Sequence, residues 1–103
     1  MTVLRVGYKA GVRFDLAYYT RKHLPLASDA LGAYAVRNIE VVTCGPNPDG
    51  SHPPYQAMFS AYFDSPADMQ KALESARMAD VLADIPNYYD GMPEVMIGEV
   101  LTP

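Results

Sequence analysis

Two helix-start signals govern what this chain can fold into, because each stands between two runs of strand-type residues. At Ser65-Pro66-Ala67-Asp68 the serine hydroxyl can accept a backbone N–H, the proline lacks an N–H that a first helical turn leaves unpaired anyway, and the acid faces the positive helix end. At Phe14-Asp15 the carboxylate can cap in the same way, with Phe14 stapling onto Tyr19. Pro25 inside the first helical pattern predicts a kink or a restart there, and Gly32 a stop. The apolar stripe Met69, Leu73, Ala76 meets Asp80 before resuming at Val81, so the second helix is expected to break near Ser75, which can cap the new segment.

The strand signals surround these helices. Thr2 to Lys9 sets Leu4, Val6 and Tyr8 against Val3, Arg5 and Gly7, the two-residue period of a strand. Tyr34 to Cys44, Tyr55 to Phe63 and Glu94 to Leu101 read as three more, with the turn-rich Gly45 to Ser51 loop after the second. The order is strand, helix, strand, strand, helix, strand. Right-handed crossovers then place both helices on one face of a four-stranded antiparallel sheet, an α+β ferredoxin-like βαββαβ arrangement in a single domain over residues 1–103.

Two helices cover only one face, yet Val41-Val42, Ala57-Met58-Phe59 and Val95-Met96-Ile97 carry consecutive hydrophobes, as strands buried on both faces do. A second copy of the chain is the expected cover, giving a homodimer with an α+β barrel at its centre. The aromatic pair of the Tyr88-Tyr89-Asp90 loop is expected to pack on the partner subunit.

Eight basic residues scattered among twelve acidic ones, with a net charge of −4, argue against a nucleic-acid partner. No apolar run approaches a membrane span and no leader pattern opens the chain, so a cytoplasmic location is expected. The one cysteine, Cys44, has no companion for a disulfide or a zinc motif, and it reads as a small buried hydrophobe at a strand end.

Chemistry concentrates in Tyr18 to Leu26. A helix turns about 100° per residue, so Leu16, Tyr19, His23 and Leu26 share a stripe while Arg21, Lys22 and Asp29 fall elsewhere. An imidazole on a core-facing stripe must find partners for its nitrogens or line a cavity that receives a ligand. Its ordinary pKa near 6.5 suits it to general acid/base work, with Tyr19 one turn earlier to orient it or bind the ligand. Tyr34 and Met58 are sheet hydrophobes available to line such a cavity, and His52 completes a two-histidine site if its loop folds over the sheet end. Arg5, on a mid-strand position, has Glu40 and Glu99 as candidate partners across the sheet. No metal-ligand spacing and no phosphate-binding glycine loop is present.

Phe14-Asp15 with Tyr18-Tyr19, His23-x-Pro25-Leu26, Pro53-Pro54-Tyr55, Phe63-Asp64-Ser65, Ala83-Asp84-Ile85-Pro86-Asn87-Tyr88 and Gly98-Glu99-Val100 together resemble the EthD family of dimeric α+β barrel proteins. That family is named for an ethyl tert-butyl ether degradation system whose oxidation is carried out by a cytochrome P450. The resemblance extends to methylmuconolactone methylisomerase and certain polyketide cyclases. It implies a homodimer that binds a small hydrophobic or aromatic metabolite without metal or organic cofactor, as an isomerase or cyclase in a catabolic or secondary-metabolite pathway, or as a non-catalytic accessory protein. His23 falls on the family's signature histidine, His52 has a counterpart in the lactone isomerase, and the strand cysteine of that enzyme falls on Ala61.

Overall fold

The computed structural model describes residues 1–102. Four strands, β1 (Thr2–Lys9), β2 (Asn38–Thr43), β3 (Tyr55–Phe63) and β4 (Glu94–Glu99), form one sheet in the order β2-β3-β1-β4, every neighbouring pair antiparallel. The helices are α1 (Leu16–Tyr18), a π-helical turn (Tyr19–His23), α2 (Leu24–Gly32), α3 (Pro66–Leu73) and α4 (Ala76–Asp84), followed by a 3₁₀ turn over Ile85–Asn87. This is the α+β ferredoxin-like arrangement. Among the described residues no helix is long and apolar enough to cross a membrane.

Both expected caps form: the Asp15 carboxylate accepts from the Tyr18 N–H at 3.0 Å and the Ser65 hydroxyl from the Asp68 N–H at 3.2 Å. Losing an N-cap acceptor costs about 1 kcal/mol. Ser65→Ala is therefore expected to lower unfolding free energy by about that amount in urea titrations, with an unchanged slope. The second helix does break at Ser75, but its hydroxyl donates back to the Ala72 carbonyl at 2.8 Å and does not cap α4.

The restart at Pro25 takes a particular form. The Leu24 N–H reaches the Tyr19 carbonyl five residues back, and Pro25, which has no N–H to donate, enters α2 within its first turn. The extra residue in this wide turn brings Tyr19, His23, Ala27 and Leu31 all to the interior. It also rotates the stripe away from Leu16, which is 47% exposed, and leaves Leu26 only partly buried.

The strand expected from Tyr34 begins later, at Asn38. The Tyr34 N–H closes a turn onto the Leu31 carbonyl, and Ala35 takes a positive φ of 62° that reverses the chain before β2 can pair. Likewise β4 stops at Glu99, two residues before Leu101.

Leu4, Val6 and Tyr8 face the helices, opposite Ala61, Phe59 and Ala57 of β3. Leu4, Phe59, Ala61 and Phe63 pack with Leu31, Met69, Ala72 and Val81 into the main core. Tyr8 joins a second, aromatic cluster with Tyr19, Tyr88 and Tyr89. On the opposite face Val42 and Met96 are about half exposed. There the Arg5 Nε donates to the Ser60 hydroxyl at 3.3 Å instead of pairing with Glu40 or Glu99, the latter being held by the chain's amino terminus at 2.9 Å.

Candidate functional site

The site is built where α2, α4 and the 85–90 loop close over one end of the sheet. The π-helical turn points His23 inward, leaving it 4% exposed with both ring nitrogens engaged. Nδ1 lies 2.9 Å from the Asp84 Oδ2, and Nε2 lies 3.0 Å from the Tyr88 hydroxyl. The Tyr88 hydroxyl is in turn 2.8 Å from the Tyr8 hydroxyl. On the far side, the other Asp84 oxygen accepts from Tyr18 at 2.6 Å and from the Asn87 amide at 2.9 Å. A continuous chain of hydrogen bonds thus runs from Tyr8 through Tyr88 and His23 to Asp84.

Charge considerations fix its direction. Burial pushes the His23 imidazolium pKa down from its ordinary value, and the hydrogen bond and charge of Asp84 offset this only in part. Burial also raises the Asp84 carboxyl, but donation from Tyr18, Asn87 and His23 outweighs it and holds the group below the usual carboxylate range. The resting pair is a neutral imidazole beside a carboxylate, so Nδ1–H donates to Asp84 and Nε2 accepts from Tyr88. Tyr88 then accepts from Tyr8. Burial pushes the phenols of Tyr8, Tyr19 and Tyr88 all up, so they rest protonated.

This geometry makes stability depend on pH. The unfolded chain takes up a proton on His23 near its ordinary 6.5 while the folded protein does so only at lower pH, so stability falls as pH drops below about 6.5 until the folded value is reached. Urea midpoints measured between pH 8 and 5.5 are expected to decline with acidification in the wild type and to decline less in His23→Gln.

A cavity of about 140 Å³ opens beside the ring, between helices and sheet, with Tyr8, Tyr19, His23, Leu31, Phe59 and Met78 among its walls. Tyr19 stacks on His23 at 5.5 Å between ring centroids. The other three candidates lie elsewhere. Tyr34 packs partly buried against the main core, His52 is exposed in its loop, and Met58 lines a separate groove on the opposite sheet face with Arg5, Tyr55 and Met96. Among the described residues no three His, Cys, Asp or Glu side chains cluster as metal ligands.

The sequence pattern assigned no role to Asp84 and sent Tyr88 and Tyr89 to a partner subunit. Both tyrosines are instead buried within their own chain. The reason is local: the 3₁₀ turn after α4 sends both N–H groups to the Ile85 carbonyl, Tyr89 bridges to Phe14, and the Lys9 N–H donates to the Tyr89 hydroxyl at 3.0 Å. The signal was the polar spacing Tyr18, Asp84, Asn87, which meets only in three dimensions.

The EthD domain model matches residues 13–92. The crystal structure of an EthD-like protein from Ralstonia eutropha JMP134 superposes with a TM-score of 0.86 at 32% identity, over 98% of this chain and 92% of that one. A protein of the ethyl tert-butyl ether (EthD) family from Bacillus halodurans C-125 gives 0.75 at 19% identity, over 97% of each chain. A dimeric protein of unknown function and ferredoxin-like fold from Bacteroides fragilis NCTC 9343 gives 0.56 at 13% identity, over 96% and 94%. No curated protein matches the sequence. The matched span carries His23, Asp84 and Tyr88 together, and on that match and the identity shared with the Ralstonia structure the chain belongs to the EthD family.

Proposed function

We propose that this EthD-family protein is a cofactor-independent isomerase or cyclase that moves a proton on a small hydrophobic metabolite held beside His23. The observation that carries the reading is an imidazole, held at Nδ1 by a carboxylate, at the wall of an apolar cavity. In the forward step a carbon acid in the cavity gives its proton to the Tyr8 oxygen as the Tyr8 proton passes to Tyr88 and the Tyr88 proton to Nε2. The imidazolium so formed is stabilised by Asp84, and reversal of the relay at a different substrate atom completes an isomerisation with no net proton gained or lost. The half-exposed Val42 and Met96 support a homodimer that covers the open sheet face.

Incubating the protein in D₂O with γ-valerolactone, cyclohexanone and acetylacetone, and following deuterium uptake by NMR, tests this. Exchange that is accelerated by the wild type and lost in His23→Gln supports it; equal exchange in the two removes His23 as the acid/base.

A second reading, a ligand-binding accessory protein of a degradation pathway, is favoured by the fact that both nitrogens of His23 are already hydrogen-bonded within the chain. It predicts ligand binding with no exchange.

A further inference from the structure

The cavity beside His23 carries information about what enters it. None of its fifteen wall residues is Lys, Arg, Asp or Glu. The imidazole rests neutral, and the carboxylate of the network, Asp84, stands behind the ring at Nδ1. An anion placed there would lose its hydration with no cation to replace it, and would face Asp84 besides. A cation would lose its hydration without a carboxylate at the wall. The volume, about 140 Å³, is close to the roughly 150 Å³ of an engineered apolar cavity that stays dry and takes up benzene. The rim is apolar too: Leu82 of α4 and Val95 of β4 are both more than half exposed where the cavity reaches the surface. Val95 is registered opposite Val6 on the helix-side face.

We infer that the ligand is an uncharged, carboxylate-free molecule about the size of one six-membered ring, entering between Leu82 and Val95. This rests on the reading that the His23 cavity is the functional site, and it narrows that reading to neutral substrates such as simple lactones, cyclic ketones or ethers.

The full chain carrying ¹³C-methyl methionine reports directly, because Met78 walls this cavity while Met58 and Met96 line the groove on the other sheet face. Toluene, benzoate and benzylamine are near-isosteric probes differing in charge. Toluene is expected to give a saturable shift of the Met78 methyl with Met58 and Met96 unmoved, and both charged probes to bind at least tenfold more weakly. Ala27→Leu, which adds bulk to the wall, is expected to abolish the toluene response. If that variant fails to fold, the wild-type pattern alone decides. A charged probe that binds as well as toluene, a shift confined to Met58 or Met96, or no shift with any probe overturns the inference. Toluene binding at Met78 without deuterium exchange leaves the ligand class standing and removes the catalytic reading. Exchange with no toluene response does the reverse.

Discussion

Tyr88→Ala is expected to destabilise the protein by about 3–5 kcal/mol, the range found when a buried large aromatic is cut back. Tyr88 is wholly buried, and its ring packs against Tyr8, Phe14, Tyr19 and His23 with centroids between 4.4 and 5.7 Å. Its hydroxyl also stands between two buried groups, so Tyr88→Phe keeps the packing while leaving His23 Nε2 and the Tyr8 hydroxyl without their shared partner, a loss of about 1–3 kcal/mol. In a chain of this length each kcal/mol lowers Tm by about 4–8 °C, so calorimetry and urea titration together resolve the two variants. A wild-type Tm in Tyr88→Ala would show that the loop does not close over the sheet end as described.

The second large effect is on proton transfer. A positioned general acid/base contributes about 10²–10⁴-fold, and His23→Gln is expected to lose a factor in that range from deuterium exchange with whichever probe the wild type accelerates. Asp84→Asn separates orientation from mere structure. Its amide can donate to Nδ1, which moves the imidazole proton to Nε2 and opposes the acceptor role toward Tyr88. The Asp84 carboxylate is also what raises the His23 pKa against the effect of burial, so the acidic limb of the exchange profile, where the rate is lost as His23 takes up a proton, is expected to shift to still lower pH in this variant. A rate loss with an unmoved profile would make Asp84 structural only.

What the sequence disclosed and what it concealed follow from the range of the interactions. Asp15 and Ser65 act within three residues of themselves, so their caps were legible, as were the two-residue period of β1, the consecutive hydrophobes of β3 and the restart at Pro25. His23 stood out because a titratable ring broke an apolar stripe. Tyr34 misled because a β-branched run follows it, while the positive φ of Ala35, not a glycine, turned the chain first. Asp84 and Tyr88 were hidden for a different reason: each meets His23 across more than sixty residues of sequence, and nothing local distinguishes a helix-terminal aspartate from a solvated one. His52 looked like a companion to His23 on residue type alone, and an exposed loop position gives it no buried partner.

The wide turn at Tyr19–His23 acts as a phase shifter within one helical rod. A regular α-helix keeps a single angular setting along its length, whereas one added residue offsets the two halves by about 100°. Upstream of the offset, Tyr19 is set to the aromatic end of the interior; downstream, Ala27 and Leu31 are set to its aliphatic middle. A single rod thereby serves two differently composed interiors, and the imidazole sits at the joint between them.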